Sequence, residues 1–184
     1  MFRQPAFGIA LSMLVLASGL MNAPITGKIS TERSTRNQPL LIPSSQAATL
    51  TTTFKTNALE KSIFDEINRY RVAHNLPELT LNANITQQAR IHSQKMANGE
   101  VPFSHDGFEE RVTAVPVRYN DASENLAVNQ GYSNPAREAI AGWLESPGHL
   151  KNIQGDFDLT GIGVATNQQG EVYLTQIFIL SSED

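Results

Sequence analysis

The chain has 184 residues, a formal net charge of −4 and no cysteine. The missing cysteines exclude disulfides, thiolate zinc sites and thiol nucleophiles. The acidic balance and the lack of any basic run argue against a nucleic-acid-binding surface, so we expect no nucleic-acid partner.

Residues 1–23 match a secretory signal peptide. One cation, Arg3, precedes a mostly apolar run from Ala6 to Met21, with small residues suited to cleavage near its end. Serine and glycine interrupt this short run, which does not suit a membrane span. We therefore expect a secreted or periplasmic protein with no stable membrane span once the signal is cleaved. An uncleaved anchor is the alternative.

Residues 24–56 are rich in Thr, Ser, Pro, Gln and Asn and show no regular apolar period. Such a segment buries too little apolar surface to offset its ordering entropy. The sequence therefore predicts a disordered linker over 24–56 and one domain with its own core over 57–184.

Two amphipathic helices are predicted at the start of this domain. The first ends at Asn75 and Pro77, and Gly99 follows the second. Their apolar stripes are Leu59, Ile63, Ile67 and Tyr70, then Ile85, Ala89, His92 and Met96. From there to residue 121 we predict a loop and short turns.

A third helix is predicted to begin at Asn134–Pro135, a capping residue followed by the proline that suits a first helical position. Trp143 lies on its apolar face and is expected in the core. "SPGH" then stops the helix and leaves His149 in a loop. Before this helix, "SENLAV" is predicted as a strand or an extended turn.

The C-terminal "LTGIGVATNQQGEVYLTQIFIL" predicts a β-hairpin whose polar turn ends in Gly170. Its second strand is apolar on both parities, so we expect both faces of the sheet to be covered. Together these elements predict an α+β fold, a three-layer α/β/α sandwich with a small, mainly antiparallel sheet.

The four histidines differ in their sequence settings. His74 follows the first helix, where solvent exposure or a helix-end contact explains it. His92 lies on an apolar stripe, which favours a hydrogen-bonded histidine at the edge of the core. His105 and His149 each stand beside a glycine in a predicted loop, the usual place for site residues.

Glu124 in "SENLA" gives these two histidines a carboxylate partner if the fold brings them together. Two imidazoles and one carboxylate can bind a divalent cation such as zinc. Alternatively, one histidine oriented by the carboxylate can act as a general base. The signatures of helical zinc proteases, serine hydrolases, and nucleotide-binding loops are absent from the sequence.

Six stretches in this order resemble the CAP superfamily (cysteine-rich secretory, antigen 5 and pathogenesis-related 1 proteins), whose domain is also called SCP. They are "ARIHSQKMA" with "FSHDGFEERV", "SENLAV", "WLESPGHLKNI", "LTGIGVA" and "YLTQIF". The resemblance covers essentially the whole domain and is greatest to the short, cysteine-free bacterial branch.

This resemblance implies an α/β/α sandwich with a cleft whose metal-binding or catalytic candidates are His105, Glu124 and His149. Many members carry a second glutamate three residues after the helical tryptophan, a position that is Ser146 here. Helical geometry turns Glu145 away from the apolar face, so we expect it in solvent. The remaining stand-ins for the second glutamate are Glu109 and Glu110.

The resemblance implies a binding or interaction module with a metal-capable cleft, whose partner would be a peptide, a lipid or a component of the cell envelope. A metal-dependent or His/Glu-based hydrolase is the first alternative. Sterol or fatty-acid binding is the second. Fold alone does not decide between them.

Overall fold

The computed structural model describes residues 44–182, with side chains described from residue 55. The predicted signal peptide and residues 24–43 of the predicted linker lie outside this range. The elements in chain order are α1 (Ser44–Ala73), β1 (Thr80–Leu81), α2 (Ala83–Ala97), α3 (Phe108–Thr113), β2 (Tyr119–Gln130), α4 (Pro135–Glu145), α5 (Pro147–Gln154), β3 (Leu159–Thr166) and β4 (Glu171–Ser181). None of the helices in these residues is long and apolar enough to cross a membrane.

Helix α1 begins inside the segment predicted to be a linker. Residues 44–56 are helical, so the prediction of disorder was wrong for this part. No proline or glycine follows Pro43 in this stretch. Once the amphipathic part of α1 has formed, each added residue gains one hydrogen bond without a new nucleation step, which explains the extension.

The four strands form one sheet in the order β1-β3-β4-β2. β3 pairs antiparallel with β4, which gives the predicted hairpin, and β2 pairs antiparallel with the other side of β4. Only the two-residue β1 pairs in parallel, with β3. The prediction of an α+β fold with a small, mainly antiparallel sheet is confirmed.

Helices cover both faces of the sheet and make three layers. On one face α1, α4 and α5 bury the core formed by Ile63, Ile67, Ile140, Trp143, Ile153, Leu174 and Phe178 with their neighbours. On the other, α2 and α3 bury Ile85, Ala89, Val112, Val115, Ile177 and Ile179. As predicted, Trp143 is in the core, where its Nε1 donates to the carbonyl oxygen of Leu126 at 2.9 Å.

Glycines in β3 let α2 approach the sheet closely. A Cβ atom at Gly161 would lie 2.2 Å from the amide nitrogen of Thr86, and one at Gly163 would lie 2.2 Å from the carbonyl carbon of Ala89. Both obstacles are backbone atoms of α2, which cannot swing aside. The two glycines of "LTGIGVA" therefore set the distance between these layers.

The outer edge of β3 is closed by charged side chains after β1 ends. The amide of Val164 donates to Glu60 Oε1 of α1 at 3.2 Å. Arg90 of α2 donates to both oxygens of the same carboxylate. Glu60 is only 8% exposed. Because Glu60 belongs to α1 and Arg90 to α2, this ion pair bridges the two helical layers around the edge of the sheet.

The boundaries of the predicted helices are largely confirmed. Asn82 caps α2 and Asn134 caps α4 with side-chain oxygens. "SENLAV" lies within strand β2. The sequence missed β1, α3 and α5. The helix α4 does stop at Glu145, but Pro147 occupies the first turn of the new helix α5, as proline readily does.

Candidate functional site

The three predicted site residues come from different elements around the edge strand β2. His105 lies in the loop between α2 and α3, as predicted, and Glu124 lies on β2. His149 is in the first turn of α5, so the prediction that it lies in a loop was wrong. Glu124 turns toward the α2–α3 layer, whereas His149 comes from the α4–α5 layer.

His105 and Glu124 form a direct pair. His105 Nδ1 lies 2.9 Å from Glu124 Oε1. An ionised carboxylate only accepts hydrogen bonds, so Nδ1 carries the proton and donates it. In this tautomer Nε2 is the nitrogen with the free lone pair. The Glu124 side chain is 1% exposed and that of His105 is 36% exposed, so a buried carboxylate orients an accessible imidazole.

Arg111 of α3 completes the surroundings of Glu124. Its Nε donates to Oε2 at 3.1 Å and its terminal nitrogen to Oε1 at 2.8 Å. The charge of the buried carboxylate is therefore balanced within the protein. Sequence reasoning missed Arg111 because α3 has six residues, too few for a helical repeat to show. The signal available in the sequence was the helical spacing of the apolar residues Phe108 and Val112, which indicates a short helix that contains Arg111.

His149 is held through the backbone of α5. Its carbonyl oxygen accepts from Asn125 Nδ2 at 3.2 Å, and Asn152 Nδ2 donates to Asn125 Oδ1 at 2.8 Å. At the other end of α5, Arg71 donates to the carbonyls of Ile153 and Gly155 at 2.9 Å each. These contacts fix the helix against β2 and α1.

The imidazole of His149 itself has an unusual environment. Its Nδ1 is buried with no hydrogen-bond partner among the described residues. Burial lowers the pKa of His149, and the positive charge that His105 carries when it is protonated lowers it further. His149 is therefore neutral near physiological pH, as a metal ligand or a base must be.

Comparison with known proteins decides the family. The sequence profile of CAP, the cysteine-rich secretory protein family, matches residues 64–178, more than half of the chain. The chain belongs to the CAP family.

Bacterial relatives support the assignment. The chain is 28% identical over 162 residues to YkwD of Bacillus subtilis, covering 84% of this chain and 60% of YkwD. An extracellular SCP-domain protein of Bacillus anthracis shares 29% identity and superposes with a TM-score of 0.60, over 78% of this chain and 45% of that one. This chain thus spans less than two thirds of the length of either relative.

An outer surface protein of Borrelia burgdorferi shares the fold. The TM-score is 0.60 at 19% identity, over 68% of this chain and 94% of that one. The recognition of a CAP domain and the prediction of its fold are confirmed.

The two other histidines of this CAP domain have structural contacts. His92 is buried, and its Nε2 lies 3.0 Å from the carbonyl oxygen of Ser104, as expected of a satisfied histidine at the core edge. His74 is exposed, stacks on Tyr70 and bonds its carbonyl oxygen through Nδ1 at 2.7 Å. Both expectations are confirmed.

The three acidic stand-ins in this CAP domain are exposed. Glu145, Glu109 and Glu110 lie toward solvent, and none of them is buried. Ser146, at the position of the second glutamate, has a buried hydroxyl without a partner among the described residues.

The described side chains fit a metal ion held by two histidines better than one held by the three predicted ligands. Across residues 55–182, no group of three or more His, Asp or Glu side chains is arranged to hold a metal. Both oxygens of Glu124 are already bonded to Arg111 and His105. His105 Nε2 and the His149 ring are the nitrogen donors that remain. The three-ligand set of His105, Glu124 and His149 stays a prediction.

Proposed function

We propose that this CAP domain is an exported binding module that holds a divalent cation, with zinc the first to test, between the imidazoles of His105 and His149. The observation that carries the proposal is the His105–Glu124 pair at 2.9 Å. A histidine that ligates a metal commonly donates its other N–H to a carboxylate, which fixes the tautomer. His105 has this arrangement before any metal arrives.

In this proposal Glu124 orients His105 and does not bind the metal itself. Arg111 and His105 already bond its two oxygens, and a bond to metal would require breaking the buried ion pair with Arg111. With two imidazoles as protein ligands, the cation keeps positions open for water or an external ligand. Those open positions are where a peptide or cell-envelope partner would contact the module.

Two features support export. Residues 1–23 have the pattern of a secretory signal, and the Bacillus anthracis relative is described as an extracellular protein.

A hydrolase is the second candidate, because a carboxylate-oriented imidazole is also the arrangement of a general base. Among the described residues neither His105 nor His149 is bonded to a serine or threonine hydroxyl. Such an enzyme would therefore activate water and not a side-chain nucleophile. For the sterol or fatty-acid alternative, the surface cavity of about 500 Å³ beside α3 offers no support, since Glu109 and Glu110 line it.

Calorimetric titration of the purified chain with Zn²⁺ tests the proposal. We expect His105→Ala and His149→Ala each to abolish measurable binding, because each removes one of two protein ligands. His74→Ala is the matched control, since this exposed histidine lies at the end of α1, and it should bind Zn²⁺ like the wild type.

Glu124→Gln separates an orienting role from ligation. We expect a loss of affinity of about 10–100-fold, the usual effect of removing an outer partner of a ligand, and not complete loss. Circular dichroism checks that each variant folds. Unchanged Zn²⁺ binding in both histidine variants would exclude the shared site. Metal-dependent cleavage of a peptide library by the wild type would favour the hydrolase.

A further inference from the structure

Arg111 contacts both the carboxylate of Glu124 and the backbone at His105 and Asp106. Besides its two bonds to Glu124, it donates to the carbonyl oxygen of Asp106 at 2.7 Å and to that of His105 at 3.4 Å. One guanidinium therefore holds the carboxylate that orients the imidazole and also the backbone that carries the imidazole. The Arg111 side chain is 10% exposed, so these contacts are shielded from water.

The shape of the guanidinium matters for this arrangement. Its planar donors match both oxygens of a carboxylate and fix the carboxylate plane, which a single ammonium group cannot do. The direction of Glu124 Oε1, and with it the ring plane of His105, depends on that plane. An ion pair placed here for stability alone would not need the additional bonds to the loop.

We propose that Arg111 is a positioning residue of the site, which fixes the Nδ1–H tautomer of His105 through Glu124 and keeps Glu124 out of direct metal coordination. The part that concerns metal rests on the proposed function. The part that concerns the tautomer stands on the geometry of Arg111, Glu124 and His105 alone.

The domain contains a matched control. Arg90 forks onto the buried Glu60 in the same way, with Nε 2.9 Å from Oε1. That pair bridges α1 and α2 at the β3 edge, whereas Arg111 and Glu124 lie at β2, the opposite edge of the sheet. Arg90→Lys therefore removes a fork with the same donor geometry, on a more exposed arginine, and leaves the site untouched.

The test compares Arg111→Lys with Arg90→Lys. Long-range ¹H–¹⁵N spectra of the metal-free protein report the tautomer of His105, and calorimetry reports the dissociation constant for Zn²⁺. In Arg111→Lys we expect His105 to populate both tautomers and the dissociation constant to rise about 10-fold or more. In Arg90→Lys both should match the wild type. If the two variants are indistinguishable in both measurements, Arg111 has only a structural role and the inference is wrong.

A measurement on the wild type covers the case in which Arg111→Lys does not fold. During Zn²⁺ titration the Nε–H signal of Arg111 should stay protected from solvent exchange while the ring signals of His105 and His149 shift. Loss of that protection on metal binding would show Glu124 leaving Arg111 to become a ligand, which overturns the inference.

The two proposals fail in different ways. If the wild type binds no metal while Arg111→Lys still mixes the tautomers of His105, the proposed function fails and the positioning role stands. If Zn²⁺ binds through both histidines while His105 has the same tautomer in Arg111→Lys as in the wild type, the proposed function stands and the positioning role fails.

Discussion

His105 and His149 have the same side chain in different settings. The ring of His105 is fixed through Nδ1 by Glu124, whereas the buried Nδ1 of His149 has no partner among the described residues. The order of the motifs predicts that both histidines belong to a site, and this stays a prediction. The sequence could not predict their orientation, which depends on Arg111 and on the start of α5.

The pH dependence of stability is a test at the residue scale. Burial, and next the positive charge of Arg111, lower the pKa of His92 in the folded protein, while Glu124 acts in the opposite direction. Between that lowered pKa and about 6.5, the unfolded chain binds more protons than the folded one. His92 therefore contributes stability above about pH 6.5 that is lost as the pH falls toward the folded pKa.

We expect His92→Gln to reduce this loss, since glutamine can still donate to Ser104 but does not titrate. Urea unfolding of wild type and variant at about pH 7.5 and 5 measures the effect. His149 contributes with the same sign, so part of the dependence should remain. Equal losses in the two proteins would contradict the assignment to His92.

Trp143 tests the core at the level of one side chain. It is 1% exposed, and Trp143→Ala should lower the free energy of unfolding by about 3–5 kcal/mol. Trp143→Phe keeps most of the apolar volume but leaves the carbonyl of Leu126 without its donor, which should cost about 1–3 kcal/mol. Denaturant titration measures both, and an alanine variant near wild-type stability would exclude a core role.

At the element scale, the longer elements were predictable and the short ones were not. Residues 83–97 and 135–145 contain several helical turns, and the C-terminal hairpin has a clear turn, so periodicity identified them. β1 pairs over two residues, and α3 is six residues long, too short for any period. The break at Ser146–Pro147 was interpreted as an end, although proline suits the start of α5 equally well.

The spacing between α2 and the sheet gives a prediction for this element pair. Gly161→Ala and Gly163→Ala place a methyl group on the backbone of α2, so each should destabilise the protein by about 3 kcal/mol or more. Gly142→Ala is the control, because a Cβ there meets nothing within 4 Å in helix α4. Alanine should stabilise the protein at that position by about 0.5–1 kcal/mol. Similar melting temperatures for all three variants would refute the close approach.

At the scale of the whole molecule, the residues of the candidate site come from all three layers. α3 supplies Arg111, the sheet supplies Glu124 and α5 supplies His149. The sequence predicted the layers, because each apolar stripe requires a surface to cover it. It could not predict that His105, Glu124 and Arg111 meet at the β2 edge, since that depends on strand order.

The predicted domain boundary is tested by shortening the chain to residues 57–184. Among the described side chains of α1, the buried ones begin at Glu60. We therefore expect the shortened chain to unfold with a free energy within about 0.5 kcal/mol of the full chain. A large loss in thermal or urea unfolding would mean that the first turns of α1 contribute to the fold and that the domain begins earlier.

The ion pair of Glu60 and Arg90 also affects the tendency of the protein to aggregate. An open strand edge offers amide and carbonyl groups to which a second chain can add, the first step toward aggregation. Here an incoming strand would have to displace the carboxylate of Glu60 from the amide of Val164. This arrangement therefore opposes self-assembly along β3.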